Sequence, residues 1–147
     1  MINAYSGEAG TDMEITNTIT PEEYLEFRRS VGWDVFPIEQ AEAGLNNSYP
    51  ICIRDNGKPV GMSRIIWDHG YAVLIVDVIV VPEYQGRGLG RMVMETTMEY
   101  IKAQLKPGYK IMISLMAATG KAEFYKKFGF LERPNEMVGP GMYQWLG

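Results

Sequence analysis

The residues whose types and spacing carry the most chemistry run from Val78 to Arg91, V-I-V-V-P-E-Y-Q-G-R-G-L-G-R. An apolar, β-branched run stops at Pro82, a glycine-rich stretch follows, and a helical period begins. The first amides of a helix have no internal partner and point outward with the positive end of the dipole. Glycines let an anion approach such a backbone closely, so the segment reads as a phosphate or pyrophosphate cradle. A Walker A loop needs Gly-Lys-Ser/Thr, but Gly90 is followed by Arg91 and Met92. A dinucleotide fingerprint needs G-x-G-x-x-G, whereas Gly86, Gly88 and Gly90 are spaced G-x-G-x-G. The pattern that fits is R/Q-x-x-G-x-G/A, through Gln85, Gly88 and Gly90. Taken alone, a tight strand-to-helix turn without a ligand accounts for the same residues.

Other reactive groups are few. Asp77 interrupts V-L-I-V-D-V-I-V-V, where a carboxylate must be paired, hydrated or beside a cavity. Two roles stay open for it: relaying a proton or orienting an amine, and structural hydrogen bonding. His69 has a pKa suited to a base but falls in a turn. Cys52, the lone thiol, falls on a strand with no histidine near it in sequence and reads as a small buried residue. Tyr125 lies in a short aromatic cluster with Phe124 and Phe128. No Cys/His cluster or paired histidines suggest a metal.

These groups sit in a chain of 147 residues, 46% hydrophobic and 22% charged, which is an ordinary globular composition and a prior for one domain, 1–147. The net charge of −4 argues against a nucleic-acid partner. One cysteine excludes an internal disulfide framework. The longest apolar run, 71–81, is too short to cross a bilayer, so no membrane partner is expected. Residues 1–10 lack the basic and apolar regions of a secretory signal, read as a flexible arm, and leave the expected location cytoplasmic.

The elements that position the loop follow from the patterning. A strand is expected over 12–19. A helix starts with Thr20 as cap, Pro21 at its first position and Glu23 closing a capping box, and ends at Gly32. A second short helix runs over 37–45. Strands over 49–55 and 59–67 flank Asn56-Gly57, a strong hairpin signal. A central strand spans 71–81, a long helix 87–105, a short strand 109–115 and a short helix 118–128. Terminal strands are expected over 130–133 and 137–146. This order predicts an α/β or α+β fold with a mixed sheet.

Two segments in this order, P-E-Y-Q-G-R-G-L-G from Pro82 to Gly90 and A-E-F-Y-K-K-F-G-F from Ala122 to Phe130, resemble the GNAT superfamily of acetyl-CoA-dependent N-acyltransferases. The resemblance covers nearly the whole chain, roughly 20–146. It implies a mostly antiparallel central sheet flanked by about four helices and splayed between the family's fourth and fifth strands. It implies acetyl-CoA as co-substrate, its pyrophosphate held by the turn from Gln85 and Gly86 through Arg87, Gly88, Leu89 and Gly90 to Arg91. Backbone groups of Val78, Ile79 and Val80 would face the pantetheine arm. Tyr125 would protonate the leaving thiolate, with Asp77 as a candidate catalytic partner. Arg28, Trp33 and Tyr143 are candidates to line the acceptor site, along with Arg29, Phe36 and Met142. Many members carry an asparagine seven residues before the tyrosine, and this chain has Ala118 there, with Thr119 or Lys121 as stand-ins. The implied reaction moves an acetyl group to a primary amine of a small molecule or peptide. A non-catalytic acyl-CoA-binding module of the same fold is the alternative, and a homodimer stays open.

Overall fold

The computed structural model describes residues 3–7 and 11–147. The chain forms two compact units, Met1–Leu115 and Met116–Gly147.

The first unit is built on a six-stranded sheet in sequence order, with strands β1 Asn3–Gly7, β2 Thr11–Thr16, β3 Tyr49–Asp55, β4 Lys58–Trp67, β5 Ala72–Val80 and β6 Met112–Leu115. Neighbours pair antiparallel from β1 to β5, and β5 pairs parallel with β6. A parallel pair needs a crossover, and helix α3, Leu89–Gln104, supplies it. Helices α1, Pro21–Ser30, and α2, Ile38–Asn46, connect β2 to β3. The mixed, mostly antiparallel α+β sheet expected from the sequence is therefore present.

Local chemistry explains most boundaries. Helix α1 begins with the expected capping box: the Glu23 amide donates to Thr20 Oγ1 at 3.1 Å, and the Thr20 amide donates to Glu23 Oε1 at 3.2 Å. Asn56 and Gly57 both take positive φ, 49° and 84°, as a two-residue hairpin turn between β3 and β4 requires. Helix α3 starts at Leu89, two residues later than expected, because Gly86 and Gly88 hold left-handed φ of 78° and 83°.

The sheet packs on both faces. Toward α3, the Ser63 and Thr97 hydroxyls meet at 2.7 Å. A Cβ on Gly61 would stand 3.1 Å from Val93 Cγ2, so the helix lies close over β4. The buried residues of α3 are Leu89, Val93, Met94, Thr97 and Ile101. Toward α1 and α2, Arg64 of β4 donates to the Gly44 carbonyl at 3.1 Å. Tyr24, Leu25 and Phe27 of α1 and Ala41 of α2 are buried there.

Three expectations need correction. Residues 3–7, read as part of a flexible arm, form β1 and pair with β2, while residues 1, 2 and 8–10 of that arm lie outside the described residues. In the second unit, helix α4 spans only Ala122–Lys126, since Gly120 just before it takes φ of 80°. The terminal strands expected over 130–133 and 137–146 are not formed. The Asn135 side chain accepts from the Met137 and Val138 amides at 2.8 and 3.2 Å, and the Asn135 amide donates to the Val138 carbonyl at 3.0 Å. This local turn occupies groups that a ladder would need, and Pro134 and Pro140 have no amide hydrogen to offer.

The Thr97 hydroxyl donates to the Val93 carbonyl at 2.6 Å, so Ser63 is the donor in the Ser63–Thr97 bond. Thr97→Val strands the buried Ser63 hydroxyl and should destabilise the fold by about 1–3 kcal/mol, read by urea unfolding. Adding Ser63→Ala should recover part of that loss.

Candidate active site

The glycine loop lies between the end of β5 and the start of α3. Residues Pro82–Tyr84 make one 3-10 turn. The Tyr84 hydroxyl donates to Asp55 Oδ2 at 2.5 Å, which ties the loop to the end of β3. The Asp55 carboxylate holds the Tyr84 phenol above its ordinary pKa. Gln85 Nε2 donates to the Val80 carbonyl at 3.0 Å and folds the loop back on its strand. Arg87 stacks its guanidinium over the Tyr84 ring at 4.9 Å. Gly88 is the N-cap of α3 with no side-chain cap, and a Cβ on Gly86 or Gly88 would enter open space. The Met92 amide donates to the Gly88 carbonyl at 3.1 Å, and the head of α3 carries the positive end of its dipole. Arg91 pairs with Glu95 at 2.6 Å on the exposed side of the helix.

The strand that leads into this loop is open along one edge. β5 pairs with β6 from Ala72↔Met112 to Ile75↔Leu115, and the ladder stops there. Residues 76–80 of β5 thus have no strand partner on the β6 side among the described residues. Val78, Ile79 and Val80 lie on that open stretch. On the other side, β5 pairs with β4 through Arg64↔Val76 and Met62↔Ile79, so Ser63 alone faces Asp77 and Val78. This is a β-bulge, and Asp77 within it has φ of 53°.

Asp77 is nearly buried and fully engaged. Its Oδ1 accepts from Arg28 Nη1 at 2.8 Å, and its Oδ2 accepts from Arg64 Nε at 2.8 Å and from the Tyr24 hydroxyl at 2.7 Å. Burial first, then the Asp77 charge, pushes the Tyr24 phenol up. Arg28 Nε also donates to the Asp34 carbonyl, and its guanidinium lies 4.4 Å from the Phe36 ring and 5.5 Å from the Trp33 ring. Of the acceptor candidates, the structure thus brings Arg28, Trp33 and Phe36 together beside Asp77. Arg29 instead pairs with Glu26 at 3.3 Å on the exposed side of α1. Tyr143 and Met142 belong to the second unit and are exposed. Sequence reasoning singled out neither Arg64 nor Tyr24. A charge inside the apolar strand G-M-S-R-I-I-W was the available signal for Arg64, the same kind that marked Asp77.

In the second unit Tyr125 is buried, with Phe124 at 5.0 Å and Phe130 at 6.4 Å in edge contacts. Its hydroxyl makes no hydrogen bond among the described residues, and none of their side-chain polar atoms is buried without a partner, so the hydroxyl meets solvent. Burial pushes the phenol above its ordinary value. Burial pushes the Cys52 thiol up to about 12, which leaves almost no thiolate at neutral pH and removes it as a nucleophile. His69 stacks on Trp67 at 5.4 Å.

The site can therefore hold a diphosphate at the glycines, Arg87 and the head of α3, and an extended amide-bearing arm along the open edge of β5. The chain is 34% identical over 119 residues to an uncharacterised N-acetyltransferase, ycf52, of Pyropia yezoensis, covering 78% of this chain and 66% of that one. It is 31% identical over 134 residues to the chloroplastic GCN5-related N-acetyltransferase 2 of Arabidopsis thaliana, covering 77% of this chain and half, 50%, of that protein. Among solved structures, a probable acetyltransferase of Staphylococcus aureus superposes with a TM-score of 0.80 at 34% identity, covering 91% of this chain and 99% of that one. The acetyltransferase (GNAT) family pattern matches residues 13–130, and the chain belongs to that family.

Proposed function

We propose that the protein is an N-acetyltransferase that moves the acetyl group of acetyl-CoA directly to a primary amine of a small molecule or peptide. Acetyl-CoA is the donor across this family and supplies an activated thioester. The observation that carries the reading is the open edge of β5 running straight into the glycine loop at the head of α3. The family pattern runs across both compact units, which supports one acyltransferase domain over the whole chain. A lone, buried, unpaired cysteine suits a reducing compartment, and a cytoplasmic location is part of the proposal.

Each residue has a stated task. Gln85 holds the loop against Val80. The backbone of the turn from Gly86 and Arg87 through Gly88, Leu89 and Gly90 to Arg91 binds the diphosphate. Val78, Ile79 and Val80 offer backbone groups to the arm. Tyr125 donates a proton to the departing thiolate, whose conjugate acid resembles a thiol with pKa about 8.5. A phenol held above its ordinary value stays protonated at neutral pH and can give that proton. The amine must be neutral to attack, and for a lysine-like amine at pH 7 this costs about 4.6 kcal/mol. The Asp77 cluster holds two guanidiniums against one carboxylate, and a surplus positive charge disfavours an ammonium beside it. Arg28, Trp33 and Tyr143 are assigned to the acceptor side.

Calorimetric titration with acetyl-CoA, against adenosine diphosphate, is the direct test. Binding that needs the pantetheine arm is expected, and a folded protein that binds neither ligand overturns the reading. Gly88→Glu should weaken acetyl-CoA binding about 100-fold or more, because it sets a negative charge against a diphosphate at contact distance. Tyr125→Phe should keep acetyl-CoA affinity while slowing transfer by about 10²–10⁴-fold. Equal turnover in Tyr125→Phe and wild type would remove Tyr125 as the acid. Because burial raises the Tyr125 phenol, its ionisation should cause no loss of transfer rate below about pH 10. A decline set at pH 8 that vanishes in Tyr125→Phe would contradict that.

A further inference from the structure

We propose that Asp77 is a positioning residue, clamped by Arg28, Arg64 and Tyr24, that locks the bulge of β5 and so sets the direction of the peptide groups of Val78, Ile79 and Val80. The proposal rests on the acetyltransferase reading and assigns Asp77 no proton transfer.

Three observations carry it. The first is conformational. Asn56, His69 and Asp77 are the non-glycine residues with positive φ among the described residues, and Asp77 is the one inside a strand. A left-handed residue in a strand persists only where its surroundings over-determine it, and such strain gathers at functional positions. The second is the effect on the strand. In an unbroken strand, residues four apart share a face. Here Ile75 pairs with Ile65 and Ile79 pairs with Met62, three residues apart on β4, so Ile75 and Ile79 lie on opposite faces. The bulge therefore rotates everything from Val78 onward, and it begins two residues after the β6 ladder ends at Ile75. The stretch it re-aims is the stretch left open.

The third is how the carboxylate is held: both oxygens accept from the clamp, which fixes the orientation of the side chain. Asp77 Oδ2 accepts from Arg64 and Tyr24, and Oδ1 accepts from Arg28. The clamps are themselves anchored: Arg64 Nη1 donates to the Gly44 carbonyl and to Ser48 Oγ, each at 3.1 Å, and Arg28 Nε donates to the Asp34 carbonyl. Removing one partner of this buried cluster would leave the others uncompensated. Through Arg28 the same clamp fixes Trp33 and Phe36, so the α1–α2 linker and the open edge of β5 are set by one ion cluster.

The test compares wild type, Asp77→Asn and Arg28→Gln by backbone amide chemical shifts of residues 78–80, acetyl-CoA affinity by calorimetry, and turnover against pH. Asparagine tolerates the left-handed region and keeps an acceptor oxygen. It also sets an NH2 against a clamping donor and removes the charge, so Asp77→Asn should shift the amides of residues 78–80 and weaken acetyl-CoA binding, while its pH–rate profile keeps its shape. Arg28→Gln should shift the amides of 78–80 and weaken acetyl-CoA binding by about tenfold or more, the scale of a small misplacement. If Arg28→Gln does not fold, Tyr24→Phe removes one clamp bond and is read the same way. An Asp77→Asn protein that binds acetyl-CoA like wild type, but loses transfer more than about 100-fold together with the acidic limb of its profile, would make Asp77 a base and overturn the proposal. Clamp variants with wild-type shifts and affinity would also overturn it. A folded wild type that binds no acetyl-CoA would overturn the acetyltransferase reading instead, and the amide shifts alone would then decide the clamp.

Discussion

The first unit depends on one buried ion cluster. A single carboxylate, Asp77, takes hydrogen bonds from guanidiniums on α1 and β4 and from a phenol on α1. Removing charges from water is expensive, and mutual attraction repays that only when geometry and hydrogen bonding are nearly complete. Here Arg28 also donates to a backbone carbonyl of the α1–α2 linker and Arg64 to one of α2. Directional bonds of this kind admit one arrangement of helices over the sheet, where an apolar contact would tolerate several.

The cluster also explains why the strand is shaped as it is. An extra residue in β5 reverses which side chains face α3 and which face α1. Val73 and Ile75 are buried on the α3 side of β4, and Ile79 is buried on the other. β6 leaves β5 just before the bulge, so a run of backbone loses its neighbour where it is most firmly held from the other side. The glycine loop continues from that run, anchored by Tyr84 to Asp55 and by Gln85 to Val80. An open edge is normally a liability for association. In a family that uses acetyl-CoA, whose arm carries amides, such an edge suits the proposed seat of that arm.

The second unit shows the limits of strand patterning. The segments after Phe128 alternate well enough to suggest strands, yet they form turns, and Leu131, Met137, Tyr143, Trp145 and Leu146 are exposed. Strand propensity measures how well a side chain suits a pleated, half-buried surface and says nothing about whether a partner strand is there. Asn135, placed between Pro134 and a pair of free amides, offered a local alternative that needs no partner. The buried Tyr125, by contrast, lies on the short helix that the aromatic spacing had suggested.

What the sequence determined by itself was whatever depends on near neighbours. The capping box at Thr20, the Asn56-Gly57 turn, the run of glycines before α3 and the motif around Tyr125 all rest on residues within a few positions of each other, and all were legible. The helices α1 to α3 and the strands β3 to β5 followed from them, and the glycine turn followed as a candidate anion site. Asp77 was legible only as an anomaly. Its partners stand 53, 49 and 13 residues away along the chain. No local period encodes a pairing at those separations, and a one-residue bulge is invisible to an apolar run with no polar alternation to break. The tertiary structure alone decided that Asp77 is held by two arginines and that Ile75 and Ile79 point to opposite faces. It also decided that the edge beside Val78 is left open, because each depends on where distant strands and helices bring their donors.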